Sequence, residues 1–214
     1  MSTGRRRCRN RRRRIIGRLL SYLFILAGAA LLFRGGRDLW ESRQGQAEAE
    51  RELEAPAPAP AESAKPVDRR LPLGTTVAKL TIPRLDAQLY VVEGVGQSEL
   101  RRGPGHMPGS ALPGDRGNCV VAAHRDTHFR LLKDIRRGDD IVLETRGGLF
   151  LYRVKNLSIV TPQNTASIQP STDAVLHLIT CYPFYYVGAA PKRYIVEAGL
   201  AGALPVSQPA PPQS

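Results

Sequence analysis

Apolar residues fall in short, closely spaced runs between residues 76 and 198, with few long helical periods, and this pattern predicts strands rather than helices. The runs at 76–82 (TVAKLTI), 87–92 (AQLYVV), 118–123 (NCVVAA), 140–144, 149–160, 175–180 (VLHLIT) and 193–198 (RYIVEA) are rich in β-branched and aromatic residues. Turn formers separate them: Pro83, Gly94, Gly96, Pro104-Gly105, Pro113-Gly114-Asp115, Gly138-Asp139 and Gly147-Gly148. Within this region only 129–137 (FRLLKDIRR) reads as a short helix. The pattern predicts one all-β domain over residues 71–200 and leaves barrel and sandwich both open. About 130 residues bury a sound core without metal or disulfide.

A different pattern precedes it. Residues 15–33 are apolar except Gly17, Arg18, Ser21 and Gly28. At about 1.5 Å per residue this run makes a helix roughly 28 Å long, the thickness of a hydrocarbon core. Arg18 lies near its start, where a long side chain snorkels to the headgroups. Ala27-Gly28-Ala29 also fits a signal-peptide cleavage site, but Leu31-Leu32-Phe33 carries the apolar run beyond it and favours an uncleaved anchor. The expected order is an Arg-rich cytoplasmic tail (1–14), a transmembrane helix (15–33) and an extracytoplasmic linker (34–70). The folded domain (71–200) and a flexible tail (201–214) follow. In the linker, 44–54 is a short helix or solvated chain, and 55–66 (APAPAPAESAKP) is an extended spacer.

The formal charge of +12 first suggests a nucleic-acid binder. Its distribution excludes that partner. Residues 1–37 hold eleven arginines and no acid, whereas residues 71–214 hold fifteen Lys/Arg against eleven Asp/Glu. The basicity belongs to the tail, and nine arginines at or before the start of the apolar run predict the N-terminus inside.

Three cysteines, Cys8, Cys119 and Cys181, make no disulfide framework and no zinc spacing. This topology leaves Cys8 in the cytosol and a Cys119–Cys181 bridge open. Two segments place a reactive side chain where an apolar strand meets a loop: Cys119–Ala123 ending at His124, and 175–180 ending at Cys181 before Pro183. A thiolate attacks a peptide carbonyl, an imidazole carries the proton, and a guanidinium stabilises an oxyanion. Arg193 opens the next run, so a hairpin-like return would bring it beside Cys181. Cys119 reads as a small buried hydrophobe. His124 and His128 stand four apart without the glutamate of a metalloprotease helix, and Asp126 reads as a turn former.

His177-Leu178-Ile179-Thr180-Cys181, with Ala123-His124-Arg125 upstream and Pro191-Lys192-Arg193-Tyr194-Ile195-Val196 downstream, resembles the sortase family, whose signature is TLxTC. His177 replaces the leading threonine. The segment TCYPFYYVGAAPKRYIV is most similar to class D sortases. The resemblance implies an eight-stranded β-barrel with one or two short helices, preceded by the transmembrane helix. It implies Cys181 as nucleophile, His124 as general acid/base and Arg193 as holder of substrate or oxyanion, with Thr180, Ala123 and Tyr182 binding substrate. The implied partners are secreted proteins carrying an LPxTG-like sorting motif and an amine acceptor in the cell envelope; no cofactor or metal is implied. Tyr182, Phe184, Tyr185 and Tyr186 pack on substrate or form a hydrophobic rim. Two other readings compete: another cell-wall cysteine peptidase such as an L,D-transpeptidase, and a non-catalytic tethered domain with a sortase-like barrel.

Overall fold

The computed structural model describes residues 4–55, 71–164, 171–186 and 188–204, the side chains of 4–20, 38 and 39 excepted. The chain divides into two units, Met1–Glu41 and Ser42–Ser214. The first unit is helical and belongs to α1 (Gly4–Glu54). The expected span begins at Ile15, so part of it lies outside the described side chains. Among the described residues no helix is long and apolar enough to cross a membrane. The spacer at 56–66 and the tail from 205 also lie outside the described residues.

In the second unit eight strands close into a barrel in the order β1-β2-β3-β4-β7-β8-β6-β5. They are β1 (Thr76–Ile82), β2 (Ala87–Glu93), β3 (Gly105–His106), β4 (Gly117–Ala122), β5 (Asp140–Thr145), β6 (Gly148–Val160), β7 (Ala174–Tyr182) and β8 (Lys192–Leu204). Barrel is thereby chosen over sandwich. β1 pairs with both β2 and β5, which closes the ring. Most pairs are antiparallel, but β2–β3 and β4–β7 are parallel. β8 runs to Leu204, beyond the expected end at 200, because β6 is long enough to pair with it there. A short α2 (Gln97–Arg102) and two 3-10 turns, Pro83–Leu85 and His128–Asp134, fill connections. The helix expected at 129–137 is the second of these turns.

The core follows from the period of two. Leu80 and Ile82, Cys119 and Val121, Ile141 and Leu143, Tyr152 and Val154, Leu176 and Leu178, and Val196 and Ala198 point inward and form one buried cluster. Residues between them on β4, β7 and β8 therefore face outward.

The last turns of α1 are not loose linker. From Ser42 onward the helix lies on the barrel, with Ala49 fully buried against Tyr90 and Val92. Gln46 copies a strand partner: its Nε2 donates to the carbonyls of Tyr90 and Arg102, both at 2.9 Å, and its Oε1 accepts from Tyr90 N at 2.7 Å. Glu52 accepts from Thr76 N and Oγ1 at 3.1 and 2.7 Å.

Candidate active site

Three neighbouring strands, β4, β7 and β8, end at one rim of the barrel. In the β7–β8 ladder Cys181 is the direct partner of Arg193. Such partners lie about 4.5–5.5 Å apart between Cα atoms. On the other flank, β4 runs parallel to β7 with Ala122 opposite Ile179. Ala123 N donates to Ile179 O at 3.1 Å, which carries the ladder one residue further. The strand ends there, and His124 follows one residue past the last ladder bond. Thiol and guanidinium thus face each other across β7 and β8, and the imidazole belongs to the chain just beyond the end of the neighbouring strand.

Parity assigns the side of the sheet. Cys181 shares the outward face of β7 with Ile179 and His177, because Leu176 and Leu178 point inward. On β4 the outward series is Val120 and Ala122, and on β8 Arg193 begins the series that includes Ile195 and Glu197. The residues beside Cys181 on that face are therefore Ala122, Ile179 and Ile195. Sequence reasoning missed these residues, although each lies two positions from a candidate site residue. Further along β4 a cavity of about 550 Å³ opens at Asn118 and Val120, bordered by Met107, Ser110 and Ser171.

Ala123, Thr180 and Tyr182 have the opposite parity and do not share a face with Cys181. Thr180 is buried, and its hydroxyl donates to Ala123 O at 2.7 Å. It ties the ends of β4 and β7 together from the interior side. Tyr182 stacks on Tyr194 at 6.3 Å and meets Phe184 edge-on at 6.0 Å. Phe184 and Tyr194 lean on the core. Of the three residues expected to bind substrate, Ala123 and Thr180 are thus buried at the strand ends and Tyr182 stands half-buried in an aromatic cluster. Tyr185 and Tyr186 are exposed and carry cations over their rings. The hydrogen bond from Lys133 Nζ, 3.1 Å long, lowers the pKa of the Tyr185 phenol.

Cys181 is half-buried and free, and Cys119 is buried and free, so the bridge left open by the sequence is not formed. Burial pushes the Cys119 thiol up to about 12, which keeps it protonated and unreactive. Arg193 Nη1 donates to the carbonyls of Lys192 at 3.0 Å and Ala190 at 3.3 Å, so its head is held near the strand start. His177 is buried between β4 and β8, opposite Val120 and Glu197, and its Nδ1 has no hydrogen-bond partner. Burial lowers its pKa. His128 does not stand on a helix turn with His124 but starts the 3-10 turn. Among the described residues no group of His, Cys, Asp and Glu is arranged to hold a metal.

The class defined is a closed eight-stranded β-barrel in which a half-buried free thiol is paired with an arginine across two strands, beside a strand whose end leads into a histidine. The sortase-domain family profile matches residues 80–201, more than half of the chain, and the chain belongs to the sortase family. It is 40% identical over 119 residues to Sortase D of Bacillus subtilis, covering 55% of this chain and 60% of that protein. It is 29% identical over 167 residues to Sortase SrtE1 of Streptomyces coelicolor, covering 73% and 47%. The chain thus spans about half to three-fifths of the length of these relatives. Among solved structures it is similar to the catalytic domain of the Bacillus anthracis sortase SrtD, at 31% identity and TM-score 0.54, covering 67% of this chain and 97% of that one. A Clostridium perfringens sortase D5 transpeptidase shares the fold, with TM-score 0.61 at 23% identity, covering 76% and 99%.

Proposed function

We propose that this chain is a class D sortase transpeptidase that cleaves an LPxTG-like sorting signal and transfers the protein to an amine. The observation that carries the reading is the pairing of Cys181 with Arg193 across β7 and β8, beside the strand whose end leads into His124. An extended peptide rises about 3.3 Å per residue. Four residues laid along β4 and β7 therefore span the distance from Cys181 to the level of His177 and Val120, where the cavity opens.

In this reading the Cys181 thiol gives its proton to His124 as its sulfur attacks the carbonyl carbon of the scissile bond, and Arg193 faces the oxygen that becomes negative. Collapse of the tetrahedral adduct breaks the C–N bond, and the departing amine takes its proton from His124. A thioester to Cys181 remains. The incoming amine gives a proton to His124, attacks the thioester carbonyl and expels the thiolate. The apolar floor of Ala122, Ile179 and Ile195 keeps water from competing with the amine.

The test is a peptide carrying an LPxTG-type motif, offered with an amine and followed by mass spectrometry. Cys181→Ala, His124→Ala and Arg193→Ala are each expected to abolish the thioester adduct and the transfer product. Full activity in Cys181→Ala sinks the assignment.

The same proposal places the chain in the cytoplasmic membrane, single-pass, N-terminus inside, with the barrel outside. Supporting it are the apolar run 15–33, the arginines before it, and the exposure of Tyr22, Leu23, Phe24, Ile25, Leu26, Leu31, Leu32 and Phe33 on α1. Trp40, also exposed, suits the headgroup level. A reporter fused after Ser214 should be active only outside the cytoplasm; activity inside refutes the topology.

A further inference from the structure

The three site residues are not held equally. Cys181 and Arg193 are paired inside the β7–β8 ladder. His124 is not. The last ladder bond on its strand is made by Ala123, so the chain at His124 has left the sheet. What keeps it in place lies beyond the strand. Phe129 N donates to His124 O at 3.0 Å, which closes the loop behind the histidine. The neighbouring residue, Arg125, reaches the connection between β7 and β8. Its Nη2 donates to Tyr186 O at 2.7 Å and Gly188 O at 3.0 Å. Its guanidinium also lies over the Tyr186 ring, 5.7 Å from the centroid.

The connection is shaped to receive this head. Gly188 has φ +95°, in the left-handed region that a side chain disfavours, and its carbonyl accepts from the same nitrogen as that of Tyr186. Arg125 Nη1 is buried and has no hydrogen-bond partner, so the tie consists of Nη2 and the ring face. The two carbonyls belong to the chain that joins Cys181 to Arg193. One side chain therefore links the end of the histidine strand to the loop that bridges the other two groups.

We propose that Arg125 is a positioning residue, a latch from the strand end of His124 to the β7–β8 connection that fixes the imidazole over the Cys181 thiol. This inference rests on the assignment of Cys181, His124 and Arg193 made above. Arg125 takes no proton and forms no bond to substrate. It acts by restricting where His124 and the loop leading into β8 stand relative to each other. Misplacing a catalytic group by about 1 Å costs on the order of a hundredfold in rate. A lysine keeps the charge but cannot address two carbonyls and cover a ring at once.

The experiment uses the full chain, an LPxTG-type peptide and an amine, with wild type, Arg125→Ala, Arg125→Lys, Tyr186→Ala and Cys181→Ala in parallel. Arg125→Ala should lower kcat by about 10- to 100-fold while KM changes less than about twofold, since the peptide groove is untouched. Arg125→Lys should recover part of the loss, and Tyr186→Ala should show a smaller loss of the same kind. Amide exchange at Tyr186 and Gly188 should accelerate in Arg125→Ala, with core amides unchanged. If Arg125→Ala does not fold, Tyr186→Ala and Arg125→Lys carry the test by the same split. A wild-type kcat in the Arg125 variants, or an effect on KM alone, overturns the latch while leaving the active-site assignment intact. Retained activity in Cys181→Ala instead removes the assignment itself.

Discussion

Replacing His106 by leucine should destabilise the barrel by about 2–6 kcal/mol, because it leaves buried polar partners unpaired. His106 and Glu93 are opposite each other in the parallel β2–β3 pair and are 2% and 3% exposed. Nδ1 of the ring lies 2.6 Å from Glu93 Oε2, and Nε2 lies 3.0 Å from both Ala111 O and Ser110 Oγ. The serine proton is already given to Met107 O at 2.8 Å, and Ser110 Oγ also accepts from Val120 N at 3.3 Å. Nε2 must therefore donate, since a bare nitrogen would face two acceptors. Leucine would strip the buried Glu93 carboxyl of its ring partner and leave Ala111 O without the imidazole. Each buried polar group left unpaired costs about 1–3 kcal/mol, so the two together account for about 2–6 kcal/mol. Urea unfolding followed by far-UV circular dichroism reads the loss. The double variant Glu93→Leu/His106→Leu should recover most of it, because neither partner is stranded. A His106→Leu loss under about 1 kcal/mol, or a double variant as unstable as the sum of the two singles, refutes the coupling.

Cys119→Ser should leave transfer activity intact, and alkylation at about pH 8 should label Cys181 while sparing Cys119, whose thiol burial holds near 12; peptide mapping decides, and preferential labelling of Cys119 contradicts it. His177 has its pKa lowered from 6.5 by burial, so the folded state favours the neutral ring. Its stabilising contribution is fully present above 6.5 and is lost as the pH falls through that value towards the folded one. The urea midpoint should therefore drop more between about pH 7.5 and 5.5 in wild type than in His177→Leu; equal drops remove His177 from the account. Gly45→Ala, which gains about 1 kcal/mol in an exposed helix, should here destabilise. The added Cβ would lie 2.7 Å from the Arg102 Cα, so the docked end of α1 must shift. Faster exchange of the Tyr90 amide in Gly45→Ala would mark that shift, and a higher melting temperature would count against the docking.

How much of the site the sequence exposes depends on which contacts follow from local pattern. Seven of the strands were legible because each buries a face with a period of two. β3 was not, since Gly105 and His106 are too few to show a period, and their place is set by the partners Val92–Glu93 and Val121–Ala122. The β7–β8 hairpin was legible too, and with it the meeting of Cys181 and Arg193. The parallel pairing of β4 with β7 was not, because no short turn joins them and nothing local fixes their register. That pairing is what sets the strand leading into His124 beside the Cys181 strand, so order along the chain suggested the partnership and only the barrel supplies the neighbouring strands. The docking of residues 42–54 was hidden for a related reason. Its apolar contact is little more than Ala49 and Leu53, and the rest is carried by the polar groups of Gln46, Glu50 and Glu52. A polar stretch of helix formers reads alike whether solvated or hydrogen-bonded to a strand. The faces of Thr180 and Tyr182 were not legible either. Both are neighbours of Cys181 in sequence, but adjacent residues of a strand face opposite ways. The residues that share a surface with the thiol are Ile179 on its own strand and Ala122 and Ile195 on the next two. In a strand-borne site, proximity to the reacting atom is inherited at intervals of two along the chain and across the ladder, and immediate neighbours instead fix the strand from behind, as the Thr180 hydroxyl does at Ala123.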